Sequence, residues 1–165
     1  MVANPKRQLS LDTNVLLDLA HGRDFAQEFR EEFQRRGYAL MLAPTVLVEL
    51  EYLLTFGSAR ERALAEKAYD QAEKWCLTSF DLPEIRLAIA EEFSRRLQHQ
   101  GLLPTEEFHD GLILAETALG DIPMLVTSDR HLLDIDDDAL LMAFNEADLP
   151  PVRPAHPKRL VKALR

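Results

Sequence analysis

The chain has 165 residues, 19 Lys and Arg against 28 Asp and Glu, a formal charge of −9, and 47% hydrophobic residues. That profile describes one compact soluble domain, long enough to bury about two-thirds of its unfolded surface without disulfides or structural metal. A single cysteine, Cys76, excludes a disulfide scaffold and a zinc ribbon, and the negative charge excludes a general nucleic-acid coat, which needs Lys and Arg against phosphates.

Met1 to Gln8 carries Lys6 and Arg7 but lacks the apolar stretch of a secretion signal. Charges such as Glu49, Glu51, Glu116 and Asp121 break every candidate for a membrane span, so a cytoplasmic protein without membrane association is expected. From Gln8 the alternation Gln-Leu-Ser-Leu ends at Asp12, and after the polar Thr13-Asn14 a helix starts at Val15-Leu16-Leu17. Ala39 to Ala43 reads as a second strand, with Pro44-Thr45 as break and cap for a helix from Val46 to Phe56. Ser58-Ala-Arg-Glu61 matches a capping box and opens a charged helix through Trp75. Cys76 beside it reads as a small buried apolar residue.

Leu77 to Phe80 reads as a third strand, and Asp81-Leu-Pro-Glu84 opens a helix that Gly101 closes. Glu106 to Leu119 is helical by spacing, with Phe108, Leu112, Ala115 and Leu119 on one stripe. Pro123 to Thr127 is a short buried strand, and Leu140 to Phe144 a fifth strand after a turn rich in Asp136, Asp137 and Asp138. Strands alternating with helices over short connections predict an α/β fold, three layers α/β/α around a central parallel sheet of four to five strands. With no repeat and no linker, residues 1–165 are expected to form a single domain with a basic tail from about residue 152 to 165.

In an open parallel sheet, function gathers beyond the carboxyl ends of the strands. Asp12 and Asp129 both fall there, each the first charge after an apolar strand. A helix cap explains a single Asp at such a place as well as chemistry does. Two further acids intrude on apolar helix faces: Glu49 among Val46, Tyr52 and Leu53, and Asp110 with Ile113 and Leu114 ahead of it. A buried unpaired carboxylate costs several kcal/mol, so each needs a cation, a basic partner or a raised pKa. Glu51 also lies among apolar residues, about 200° round the helix from Glu49, and only one of the two can face a cleft. Four converging acids repel one another unless hard divalent cations such as magnesium or manganese neutralise them. His21, His99, His109, His131 and His156 are scattered and form no zinc set.

The segments Leu-Ser-Leu-Asp12-Thr-Asn-Val-Leu, Pro-Thr-Val-Leu-Val-Glu49-Leu, His-Asp110-Gly-Leu-Ile-Leu-Ala and Leu-Val-Thr127-Ser128-Asp129 occur in this order. In order and context they resemble the PIN-domain nucleases, which include the toxins of bacterial toxin–antitoxin pairs. The resemblance runs from about Gln8 to the end, including Pro157-Lys-Arg-Leu-Val, and it selects Glu49 over Glu51. It departs after the fourth acid, where Arg130-His-Leu-Leu replaces a frequent aromatic.

The resemblance implies an endoribonuclease dependent on Mg2+ or Mn2+, with Asp12, Asp110 and Asp129 as metal ligands and Glu49 orienting or deprotonating the attacking water. It implies Asn14, Thr127 and Ser128 as hydrogen-bonding support, although turn or cap roles fit them equally. It also implies a small antitoxin that restrains the enzyme, and a homodimer formed through the helices after Pro44 and Ser58. Candidate RNA contacts are Arg23, Arg60, Arg62, Arg130, Lys158 and Arg159, for which a solvated helix face is the plainer explanation. Asp134 to Asp148, with six acids and no Lys or Arg, reads as a solvated loop facing away from RNA. The alternatives are a catalytically silent binding scaffold of the same fold and a structure-specific DNA nuclease, the latter disfavoured by the lack of an extra helical arch.

Overall fold

A computed structural model describes residues 7–165; residues 1–6, part of the segment inspected for a secretion signal, lie outside the described residues. The elements in order are β1 (Gln8–Leu11), α1 (Thr13–Ala20), α2 (Asp24–Arg35), β2 (Ala39–Leu42), α3 (Pro44–Phe56), α4 (Ala59–Gln71) and β3 (Leu77–Ser79). There follow α5 (Glu84–His99), α6 (Phe108–Leu119), β4 (Met124–Val126), α7 (Arg130–Leu133), α8 (Asp137–Glu146), β5 (Arg153–Ala155) and α9 (Pro157–Ala163). The sheet is parallel throughout, in the order β3-β2-β1-β4-β5. Among the described residues, no helix is long and apolar enough to cross a membrane.

The inner strands are buried on successive residues, as when helices cover both faces of a parallel sheet. Leu9, Leu11, Leu40, Leu42, Leu125 and Val126 join Leu16, Leu19, Phe29, Phe93, Ile113, Leu114 and Phe144 in one continuous core. In β1, Ser10 pairs with Met41 on one side and Leu125 on the other, and the Asp12 amide continues the ladder to the Val126 carbonyl at 2.9 Å. That register brings the residues just beyond β1 and β4 side by side. The strand order also reverses between β1 and β4, where a crevice opens in such sheets.

Six expectations require correction. Leu140 to Phe144 is not a strand but part of α8: Leu140, Ala143 and Phe144 are buried at helical spacing, and the Asp136 side chain caps the Ala139 amide at 2.9 Å. The stretch from Asp134 to Asp148 is therefore largely helix rather than loop, with Asp137 and Asp138 in the first turn, where the helix dipole favours them. The fifth strand lies further on, at Arg153–Ala155, and with α9 it makes up most of the basic tail.

The expected stripe on α6 is also displaced. Phe108, Leu112 and Leu119 are only half-buried, whereas Asp110, Gly111, Ile113 and Leu114 through Ala118 are buried, because α6 is covered around most of its circumference. Gly111 permits this approach: a Cβ there would lie 2.1 Å from Ser94 Oγ on α5, whose hydroxyl donates to the Phe108 carbonyl at 2.6 Å. Cys76 is exposed rather than buried, at φ 54° in the reversal between α4 and β3, and α4 stops at Gln71 rather than reaching Trp75. Finally, Thr45 does not cap α3; it receives a partner from α6, described below.

Candidate functional site

Beyond the carboxyl ends of β1 and β4 lies a cleft lined by Asp12, Thr13, Asn14, Leu17, Glu49, Tyr52, Leu53, Glu107, His109, Asp110 and Asp129. All four acids singled out from the sequence meet there, from four separate segments. The lining includes no Lys or Arg.

Asp12 leaves β1 as the N-cap of α1, and Asp129 leaves β4 as the N-cap of α7. The cap reading and the site reading are thus both true of these residues, since capping fixes the carboxylates where the two strands end. Asp12 is almost fully buried. Its Oδ1 accepts from the Thr13 amide at 2.8 Å, and its Oδ2 accepts from the Thr127 hydroxyl at 2.8 Å and the Asn14 side-chain amide at 3.1 Å. Burial pushes its carboxyl up to about 7; the Thr127 bond opposes the rise, and the neighbouring Glu49 and Asp129 charges add to it.

Thr127 Oγ1 also accepts from the Asp129 amide at 3.0 Å. Asn14 Oδ1 accepts from the Ser128 amide at 3.1 Å, so the Asn14 side chain clasps the ends of both strands. The Ser128 hydroxyl turns away to Asp18 at 3.0 Å.

Glu49 is half-buried on α3, and its Oε1 accepts from the Thr13 hydroxyl at 2.8 Å. Its carboxyl is raised by burial first, with the Thr13 bond opposing, and then by the Glu107, Glu116 and Asp129 charges. Glu51 is exposed outside the cleft. Asp110, in the first turn of α6, is 7% exposed, and its Oδ2 has no hydrogen-bond partner. Burial raises its carboxyl strongly, and the Asp12 and Asp129 charges raise it further.

Three residues in or beside the cleft escaped the sequence reading. Thr13 holds Glu49 across 36 positions of chain. Glu107 and His131 meet at the rim, with His131 Nδ1 3.2 Å from Glu107 Oε1 and 3.6 Å from Asp129 Oδ1. Single polar residues in turns and at helix starts give no periodic signal, so only the folded chain shows their convergence. Behind the cleft, the buried Glu116 of α6 accepts from the Thr45 amide at 2.9 Å and the Thr45 hydroxyl at 2.6 Å, filling the cap that α3 lacks in its own sequence.

The basic candidates do not line the cleft. Arg23 is exposed at the start of α2, and Arg60 and Arg62 are exposed in the first turn of α4, Arg60 against His21 at 2.8 Å. Arg130 projects into solvent near Asp134. Lys158 lies over the Phe25 ring at 5.1 Å, and Arg159 beside it is exposed.

No curated protein sequence matches the chain. Several solved structures share its fold. VapBC2 from Rickettsia felis, bound to a DNA fragment from its promoter, aligns with a TM-score of 0.61 at 17% identity over 90% of this chain and 98% of that one. VapBC-1 from nontypeable Haemophilus influenzae aligns at 0.58 and 16% identity, covering 91% and 98% of the two chains. FitAcB from Neisseria gonorrhoeae aligns at 0.54 and 17%, covering 90% and 97%. The PIN domain family profile matches residues 9–138, a span that opens in β1 and takes in Asp12, Glu49, Asp110 and Asp129, and on that match the chain belongs to the PIN domain family.

Proposed function

We propose that this protein is an endoribonuclease that hydrolyses RNA phosphodiester bonds with the help of a divalent cation. The observation that carries this reading is Asp110 Oδ2, a buried carboxylate oxygen without a partner, facing a cleft of acids. A carboxylate so placed is costly unless a cation completes it. The residues fit a hard ion, since they offer several oxygens and no competing Lys or Arg. Asp12, Asp110 and Asp129 would hold the ion, Mg2+ or Mn2+. Such an ion, when bound, screens the phosphate charge and acidifies water.

The remaining work falls to the chain's own groups. Glu49, anchored through Oε1 by Thr13, keeps Oε2 for the attacking water, which it orients and whose proton it takes. Its raised pKa makes it a better base than an exposed carboxylate. Asn14 and Thr127 hold Asp12 and the β4 end in register, so the acids keep their spacing as substrate enters. Ser128 contributes its backbone amide to this clasp.

The similar folds named above were solved as VapBC and FitAcB. By that analogy the protein is a toxin held by a small antitoxin, which lays an Arg or Lys against the acids in place of the ion. The exposed Val48, Tyr52 and Phe56 of α3 and Tyr69 of α4 supply a homodimer surface. The test is cleavage of single-stranded RNA and of DNA by purified protein freed of any partner. RNA cleavage with Mn2+ or Mg2+, abolished by chelator, is the expected result. Preference for structured DNA would favour the DNA nuclease, and no cleavage of either would favour the silent scaffold.

A further inference from the structure

The acids of the cleft divide into two sets that share members. Both oxygens of Asp12 are engaged, by Thr13 on one side and by Asn14 and Thr127 on the other. At the mouth lies a second set, Glu107, Asp110, Asp129 and His131, each offering one ligand atom within 4.8 Å of the others. Asp110 and Asp129 belong to both. A cluster of acids is common without an ion, but this one contains the buried, unpartnered Asp110 Oδ2. It also contains a nitrogen. The His131 imidazole is 51% exposed, its backbone amide is fixed by Asp129 Oδ1 at 2.9 Å, and its Nδ1 is aimed between Glu107 and Asp129.

We propose that Glu107, Asp110, Asp129 and His131 form a second cation position at the mouth of the cleft, with the His131 imidazole as a direct ligand. This rests on the nuclease reading above and extends it to residues that reading does not use. Three carboxylate oxygens and one imidazole suit a borderline first-row divalent ion such as Mn2+ better than Mg2+, which prefers oxygen and water. A bound ion would be held by Glu107 and His131 in place of their contact with each other, and Asp110 and Asp129 would be common to both positions. The chain is thereby suited to two ions about a single scissile phosphate, the outer one selected by nitrogen.

The competing account is that His131 merely pairs with Glu107. Mn2+ is the probe, using calorimetric titration of the full chain and pulsed electron paramagnetic resonance of the bound ion. Two Mn2+ per chain and a 14N coupling are expected for the unaltered protein. His131→Ala should abolish the coupling and weaken one of the two sites at least tenfold, since even groups that only support a ligand contribute about 10- to 100-fold. Glu107→Gln should weaken the same site and leave the nitrogen coupling at saturating Mn2+.

His109→Ala is the control, because His109 also lines the cleft; it should change nothing. Absence of 14N coupling in the unaltered protein, its persistence in His131→Ala, its loss in His109→Ala, or unchanged Mn2+ affinity at both sites in His131→Ala each overturn the proposal. If one Mn2+ binds without nitrogen and Asp12→Asn removes it, the nuclease reading survives and the outer position does not. If no Mn2+ binds at all, both fall.

Discussion

Asp110 and Glu116 sit six residues apart on α6, both withdrawn from water at 7% and 3% exposure, and burial raises both carboxyls. Glu116 is satisfied by Thr45, as acceptor for the amide and the hydroxyl at the start of α3. Asp110 keeps an oxygen with no donor and faces four other acids across a cleft. One end of the helix therefore builds the frame, and the other stores a cost that a ligand can relieve. Burial of a charge does not by itself identify a site; a buried charge left without an internal partner does.

Substitutions at the two ends should separate these roles. Asp12→Asn and Asp129→Asn, on the cleft side, should each lower RNA cleavage by about 10³-fold or more, the scale of a lost charge-stabilising contact in a transition state, while the folded circular dichroism spectrum persists. Wild-type rates in both would break the assignment of the cleft.

In chelator, the same end should make stability fall with rising pH. The Asp12 carboxyl titrates near about 7 in the folded chain and near 4 when unfolded, so between those values the native state holds the extra proton. Its stabilising effect is full below about pH 4, is lost as pH rises to about 7, and stays lost above. Asp110, raised as well, acts in the same direction. The loss is a few kcal/mol, at about 1.4 kcal/mol per tenfold change in proton affinity. Melting temperatures at pH 5 and pH 8 should therefore differ, and Asp12→Asn should shrink the gap.

Glu49→Gln should cost about 10²-fold in cleavage rate, the scale of general base catalysis, while Glu51→Gln leaves the rate unchanged; the reverse ranking would overturn the choice of base. At the architectural end, Glu116→Ala leaves the Thr45 amide buried without a partner. It should lower stability by about 2 kcal/mol in denaturant titration, while Asp110→Asn raises stability in chelator. Equal destabilisation by the two variants would erase the contrast between them.

Much of this was legible before folding. Asp12 and Asp129 stand out because each is the first charge after an apolar strand, and Glu49 and Asp110 because each interrupts an apolar helix face. Choosing Glu49 over Glu51 needed the family resemblance, since angular separation alone does not say which side faces inward; in the fold, Glu49 lines the cleft and Glu51 does not. The five residues Leu140 to Phe144 suit a buried strand and a short helix equally. The Asp136 cap and the continuation of the helix back to Asp137 and on to Glu146 decide between them. The bond from Glu116 to Thr45 spans 71 positions and leaves no local trace, and neither does the meeting of Glu107 with His131.

The central place of β1 has a consequence for how the protein is made. Its first strand lies between β2 and β4, and Asp12 completes the ladder only when its amide meets the Val126 carbonyl. On a ribosome, residues 124–129 are added only after about three-quarters of the chain, a limit set by order of synthesis alone. Until then β1 has an open flank and Asp129 does not exist. A product truncated or stalled before residue 124 therefore lacks β4 and Asp129 and has no assembled cleft.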